Sequence, residues 1–195
     1  NEGEEFILVG DQSAGKSSLL AALLGVNITY ISDGCATRCP VKYILEPTKP
    51  DSGWSFECDN GKGILVAYDQ ANLQKRLNQH FQSLGDKLVS EPITVRILSP
   101  VCTSSMTVVD LPGLIAGGIE RQENHEQSHQ IVREYLNKPN VIVLYVSRFD
   151  VDVGSTNTYI LSEVQKKPND NVVFCFTHFD RACNDSDILV EDLAK

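Results

Sequence analysis

The residues with the most chemical potential fall in one run, Gly10-Asp11-Gln12-Ser13-Ala14-Gly15-Lys16-Ser17-Ser18. The spacing is G-x-x-x-x-G-K-[ST], and the chemistry it suits is the capture of a nucleotide's phosphate chain. Glycines let backbone N–H groups turn inward around phosphate oxygens with no side chain in the way. A helix beginning at the end of the loop adds its dipole to the same anion site. Lys16 supplies a point charge for β- and γ-phosphates, and Ser17 offers a hydroxyl ligand to Mg²⁺. The bland alternative is a Gly/Ser-rich turn ahead of an ordinary core helix. The flanks favour the phosphate site: Phe6-Ile7-Leu8-Val9 reads as a buried strand. Leu19, Leu20, Leu23 and Leu24 continue a helical pattern that stops at Gly25.

Three further stretches carry compatible chemistry. Asp110-Leu111-Pro112-Gly113 closes an apolar run. A carboxylate there can hold Mg²⁺ through its water shell, and the Gly113 N–H can approach a γ-phosphate; taken alone, D-x-P-G is a common turn. Thr37 lies between the first helix and the second strand, where its hydroxyl can reach Mg²⁺ and its backbone an attacking water; alone it is a solvated loop threonine. Thr177-His178-Phe179-Asp180 follows the apolar run 172–176. A carboxylate at Asp180 can accept from guanine N1–H and N2–H₂ together, a donor pair adenine lacks, and His178 can stack on a base. The bland reading makes Asp180 a helix cap. A fourth stretch points elsewhere: His125-Glu126-Gln127-Ser128-His129 spells H-E-x-x-H, a zinc-hydrolase pattern, with Glu163 as a possible third ligand. Its alternative is a solvated polar helix face.

These groups need a scaffold that brings distant stretches together. Strand-like segments at 41–45, 93–98, 107–109, 141–146 and 172–176 alternate with helical patterns at 16–24, 68–88, 121–136 and 156–165, and a last helix begins at 185. Trp54 and Phe56 mark a short possible strand in a Pro/Gly-rich stretch. Several strands are continuous apolar runs, the pattern of a mostly parallel sheet covered on both faces, with function at the strands' carboxyl ends. The expectation is an α/β P-loop domain over 1–195 with an insertion around 46–90. A chain of 195 residues, 42% hydrophobic, can bury a sizeable core. A net charge of −9 argues against duplex nucleic acid as the main partner. Six scattered cysteines without a C-x-x-C pair read as reduced thiols of a cytoplasmic protein. No apolar run is long enough to span a membrane. An Asn1 start and a helical pattern still running at Lys195 suggest a piece of a longer protein.

With four motifs in order, the chain resembles the GTPase domain of the dynamin superfamily. The carrying residues are 10–18, then Gly34-Cys35-Ala36-Thr37-Arg38-Cys39-Pro40, then Asp110 to Gly113, then Thr177 to Asp180, with the stretch from Glu91 to Pro100 also similar. The resemblance implies binding of GTP and GDP, Mg²⁺, and hydrolysis by direct water attack. It assigns catalytic work to Gln12, Ser13, Lys16, Thr37 and Gly113, since Leu114 is no water-positioning Gln. Ser13, with the Gly34 and Ser32 carbonyls, would hold a monovalent cation (K⁺ or Na⁺) in place of an arginine finger. It further implies dimerisation across the nucleotide face, with Asp152 reaching over. Higher oligomers and membrane contact would come through stalk and membrane modules outside this sequence, and the location would be cytoplasmic, peripheral on membranes or microtubules. Three departures stand out. His178 replaces the family Lys, Cys183 stands where a base-contacting Asp is common, and Ser32 stands where the family usually has glycine. Those at His178 and Ser32 keep open a second reading, an assembly module that binds nucleotide but barely hydrolyses it.

Overall fold

The computed structural model describes residues 5–11, 13–26, 37–59, 64–67, 69–85, 87–112, 122–149 and 158–178. In chain order the elements are β1 (Glu5–Gly10), α1 (Lys16–Leu24), β2 (Val41–Pro47), β3 (Ser55–Asp59), β4 (Ile64–Ala67), α2 (Gln70–Leu84), β5 (Ile93–Ser99), β6 (Met106–Asp110), α3 (Gln122–Leu136), β7 (Val141–Arg148), α4 (Thr158–Val164) and β8 (Val172–Thr177). Among the described residues the strands form one eight-stranded sheet in the order β4-β3-β5-β2-β6-β1-β7-β8.

The sheet has two halves of different construction. On one side β6, β1, β7 and β8 all run parallel. On the other, β2 joins β6 antiparallel, β5 lies parallel to β2, and β3 and β4 add antiparallel pairings. The expected α/β sheet with a parallel centre is present, and the segment read as an insertion extends the same sheet through β3 and β4 with α2 packed on them. Strand β4 was not legible, because 64–67 runs straight into an amphipathic helix. That helix is also shorter than the expected 68–88. The Asp69 carboxylate caps it by accepting from Asn72 N–H at 2.7 Å, and Gly85 ends it with φ 58°.

Strand alternation sorts the core into two clusters, one on each face. Leu8, Val108, Leu144 and Val146 face α1 and join Val41, Tyr43, Leu45, Val95 and Ile97 beneath α2. Ile7, Val9, Val109, Val143 and Tyr145 face the opposite way, against Ile131, Val132, Tyr135 and Leu136 of α3 and Ile160 and Val164 of α4. Burying one such side chain is worth about 1.5–3 kcal/mol, so the two layers together hold the parallel strands in place. The apolar run of β8 reads as a buried strand; among the described residues it pairs with β7 alone, which leaves Val173, Phe174 and Phe176 46%, 52% and 60% exposed. The expected last helix from 185 lies outside the described residues, and no described helix is long and apolar enough to cross a membrane.

Candidate phosphate-binding site

Parallel strands send all their carboxyl ends to one side, and the candidate residues gather there. Strand β1 ends at Gly10, where φ is 153° and an added Cβ would sit 2.1 Å from the Val146 carbonyl oxygen of β7. Only glycine lets the chain leave the sheet that close to its neighbour. The loop then takes left-handed turns at Ser13 (φ 62°) and Gly15 (φ 87°), and Ala14 N–H donates to the Asp11 carbonyl at 3.2 Å. Gly15 is the N-cap of α1, with no side-chain cap and no acidic residue in the first turn. The start of α1 therefore faces the loop with its N–H groups and dipole uncompensated, which suits an anion. Ser13, Ser17 and Ser18 are exposed at this rim.

Lys16 folds back over the loop, its Nζ donating to the Gly10 carbonyl at 2.8 Å and the Asp11 carbonyl at 2.7 Å. Burial pushes its pKa down, and the nearby Asp110 and Asp11 carboxylates push it back up. Asp110 is the last residue of β6 and is buried. Burial raises its carboxyl pKa to about 6, against the downward pull of the Lys16 charge and of the Thr37 hydroxyl. Thr37 Oγ1 donates to Asp110 Oδ2 at 3.4 Å, while Asp110 Oδ1 is buried without a hydrogen-bond partner. A buried, unpartnered carboxylate oxygen on a group that also meets the Thr37 hydroxyl is a donor set that fits a hard divalent cation such as Mg²⁺.

Thr37 reaches Asp110 because β2 starts at this end of the sheet, Val41 pairing with Asp110. Two bonds hold the segment between them: Val89 N–H donates to the Arg38 carbonyl and Ile93 N–H to the Pro40 carbonyl, each at 3.0 Å. Nothing local signals these long-range anchors. Strand β8 delivers Thr177 to the same place. Its Oγ1 donates to the Ala14 carbonyl at 2.6 Å and lies 3.3 Å from the Ser147 carbonyl. His178 follows in a left-handed conformation, φ 57°. Of the predicted residues, Gly10, Asp11, Ser13, Ala14, Gly15, Lys16, Ser17, Ser18, Thr37, Asp110, Thr177 and His178 thus belong to strand ends, loops and the first turn of α1 at one end of the sheet. Gln12, Gly34, Gly113 and Asp180, like Ser32 and Asp152, lie outside the described residues.

The H-E-x-x-H stretch lies on α3 and does not build a metal site in what is described. His129 stacks on the Tyr159 ring of α4, centroids 3.7 Å apart and planes within 3°, and the Tyr159 hydroxyl donates to the His129 carbonyl at 3.3 Å. This corrects the picture of a solvated face: His129 is helix-packing material. Glu163 pairs with Lys166. Among the described residues no three His, Cys, Asp or Glu side chains gather as metal ligands. Cys39, Cys58, Cys102 and Cys175 are free thiols.

Comparison with known proteins agrees with the motifs. Residues 6–179 match the family model described as the dynamin family. The interferon-induced GTP-binding protein Mx1 of dog is 27% identical over 193 residues, which are 96% of this chain and 29% of that protein. Mx1 of rat is 29% identical over 194 residues, 96% of this chain and 29% of its own length. Mx2 of dog is 30% identical over 177 residues, 87% of this chain and 24% of its own length. The chain spans less than a third of the length of these curated relatives. A family match over residues 6–179, which span the loop at the end of β1 and the carboxylate at the end of β6, places the chain in the dynamin family.

Proposed function

We propose that this chain is the nucleotide-hydrolysing part of a large GTPase, cleaving GTP to GDP and phosphate. The observation that carries the reading is the convergence of Lys16, Thr37 and Asp110, far apart in sequence, beside an uncapped helix start. Phosphoryl transfer asks a protein mainly for positioning and charge stabilisation. The loop at 10–18 surrounds the phosphate chain with N–H groups. The Lys16 ammonium, now held by two loop carbonyls, can exchange them for β- and γ-phosphate oxygens as a nucleotide enters. Asp110, Ser17 and Thr37 are the residues that would hold Mg²⁺, which when bound neutralises charge developing on the phosphates. Thr37, joined to Asp110 through its hydroxyl, is positioned to carry its backbone to the attacking water. Gln12, Ser13 and Gly113 complete the catalytic set, Ser13 with Gly34 toward a monovalent cation. Thr177, His178 and Asp180 form the base-side wall, Asp180 selecting guanine. Self-association through the nucleotide face, further assembly and membrane contact through other parts of a longer protein, and a cytoplasmic location belong to the same proposal.

The test is turnover of GTP against ATP with Mg²⁺ by the full-length protein, over a range of protein concentrations, in K⁺, Na⁺ and a cation too large for the site. GTP-selective turnover that rises with concentration and needs K⁺ or Na⁺ supports the reading. Tight GTP binding with no turnover at any concentration would leave an assembly module, with His178 and Ser32 the first positions to restore to the family residues.

A further inference from the structure

We infer that Gln127 is a positioning residue for Thr37, acting through the segment between α2 and β5; this rests on the proposed nucleotide site. Gln127 is the middle residue of the His125-Glu126-Gln127-Ser128-His129 stretch on α3. Beside it Ser128 is buried and His129 stacks on Tyr159 of α4, while Gln127 meets a different neighbour. Its Nε2 donates to the Leu88 carbonyl at 3.1 Å, across 39 residues of sequence. Residues 87–92 form neither helix nor strand, so no ladder of their own holds them. Their position comes from outside: the Leu88 side chain is buried in the core, and its carbonyl is tied to α3.

The next residue passes this tie on. Val89 N–H donates to the Arg38 carbonyl at 3.0 Å, and Arg38 directly follows Thr37. Thr37 needs such support. Its own hydroxyl bond to Asp110 is 3.4 Å, long for O–H···O. Residues 37–40 form neither helix nor strand either. The Pro40 carbonyl accepts from Ile93 N–H, but that bond belongs to the start of β5 and lies farther along the chain. The bond at Arg38 is the one beside the threonine, and its donor is fixed through Leu88. A closed circuit results. Asp110 meets Thr37 through a hydroxyl, Arg38 meets Val89 through the backbone, and Leu88 meets Gln127 through a side-chain amide. The chain itself closes the ring, running from β6, which ends at Asp110, to α3, which carries Gln127. An exposed amide on α3 thus sets where the Thr37 backbone stands relative to Asp110, although it does not touch Thr37.

In the full-length protein Gln127→Ala removes the donor and should lower kcat for GTP about fivefold, with GTP affinity within about twofold of the parent. Gln127→Lys, which restores an N–H donor of similar reach, should return kcat to within about twofold. A double-mutant cycle asks whether the effect passes through Thr37. In a Thr37→Ala background Gln127→Ala should change kcat by less than about twofold. A full fivefold loss in that background would make Gln127 a general stabiliser of α3 and overturn the inference, as would unchanged kcat in the single variant. A nucleotide-free readout separates this from failure of the GTPase reading. Amide hydrogen exchange at Val89, whose N–H holds the Arg38 carbonyl, should quicken about fivefold in Gln127→Ala and return to the parent rate in Gln127→Lys. Unchanged exchange at Val89 would sink the relay even if the protein hydrolysed no GTP. If the alanine variant does not fold, Gln127→Glu, which keeps the length and replaces the donor with a carboxylate, is read by the same exchange measurement.

Discussion

The two halves of the sheet are built to different rules. In β6, β1 and β7 successive residues are buried on both faces: Ile7 and Val9 one way and Leu8 the other, Val143 and Tyr145 one way and Leu144 and Val146 the other. Among the described residues, β2 and β5 are fully buried on one face only. Val41, Tyr43, Leu45, Val95 and Ile97 lie beneath α2, while Lys42, Ile44, Glu46 and Arg96 look outward. That outer face is tied by ion pairs, Arg96 to Glu46 at 3.5 Å and Lys42 to Glu5. In the all-parallel half, crossovers bring helices to both faces; β2 and β5 are a parallel pair too, but they are flanked on both sides by antiparallel pairings, to β6 and to β3, and a mixed sheet of this kind can leave one side to water. The same difference locates the chemistry. Strands that all run one way end together, so the loop at 10–18, Asp110 and Thr177 meet without special arrangement. The mixed half supplies Thr37 through the segment leading into β2, which starts where β6 stops.

Several variants would break or sharpen this contrast. The largest effect is expected at the strand ends. Lys16→Ala should cut GTP turnover by at least about a hundredfold while leaving the melting temperature within a few degrees. Undiminished turnover would disprove the site. Next comes the packing contrast itself. Leu8→Ala, in the doubly covered half, should cost about 3 kcal/mol in denaturant unfolding. Ile44→Ala, on the open face of β2, should cost under about 1 kcal/mol, and equal costs would mean that the two faces are covered alike.

Thr37→Ala tests whether the mixed half contributes to catalysis through that one residue. The expected result is a loss of about a hundredfold in kcat with nucleotide affinity within a few-fold of the parent. Equal turnover in variant and parent would make Thr37 a plain loop residue. The smallest effect is a pH dependence. The Asp110 carboxyl, raised to about 6 chiefly by burial, keeps its proton in the folded state to higher pH than in the unfolded chain. Its contribution to nucleotide-free stability is therefore full at low pH and is lost as pH rises from about 4 to about 6. Mg²⁺ needs the ionised form. Its affinity should fall about tenfold per pH unit below about 6 and level off above it. Titration of Mg²⁺ binding by calorimetry across that range checks this, and Asp110→Asn should remove both slopes.

The sequence was most legible where structure is local. The strand-loop-helix from Phe6 to Gly25 is written in one contiguous run, because glycine conformations, a helix start and an apolar stripe each act within a few residues. The elements over 93–98, 121–136 and 141–146 were visible for the same reason, to within a few residues at their ends. Asp110 and Thr177 were recognisable as residues at the ends of apolar runs. What each of them touches was not.

Pairing across the sheet is a long-range choice, and composition does not encode it. The tertiary structure alone decided that β2 runs against β6 and beside β5, and that 64–67 is a strand, not a helix lead-in. It decided that the apolar run of β8 pairs with β7 and that His129 packs on Tyr159. The same holds at the site. Sequence supplied the ammonium, the carboxylate and the hydroxyls, since a residue's chemistry travels with its side chain. The sheet supplied the 2.6 Å from Thr177 to Ala14 and the 3.4 Å from Thr37 to Asp110. Distance between residues far apart in sequence exists only once strand order and register are set.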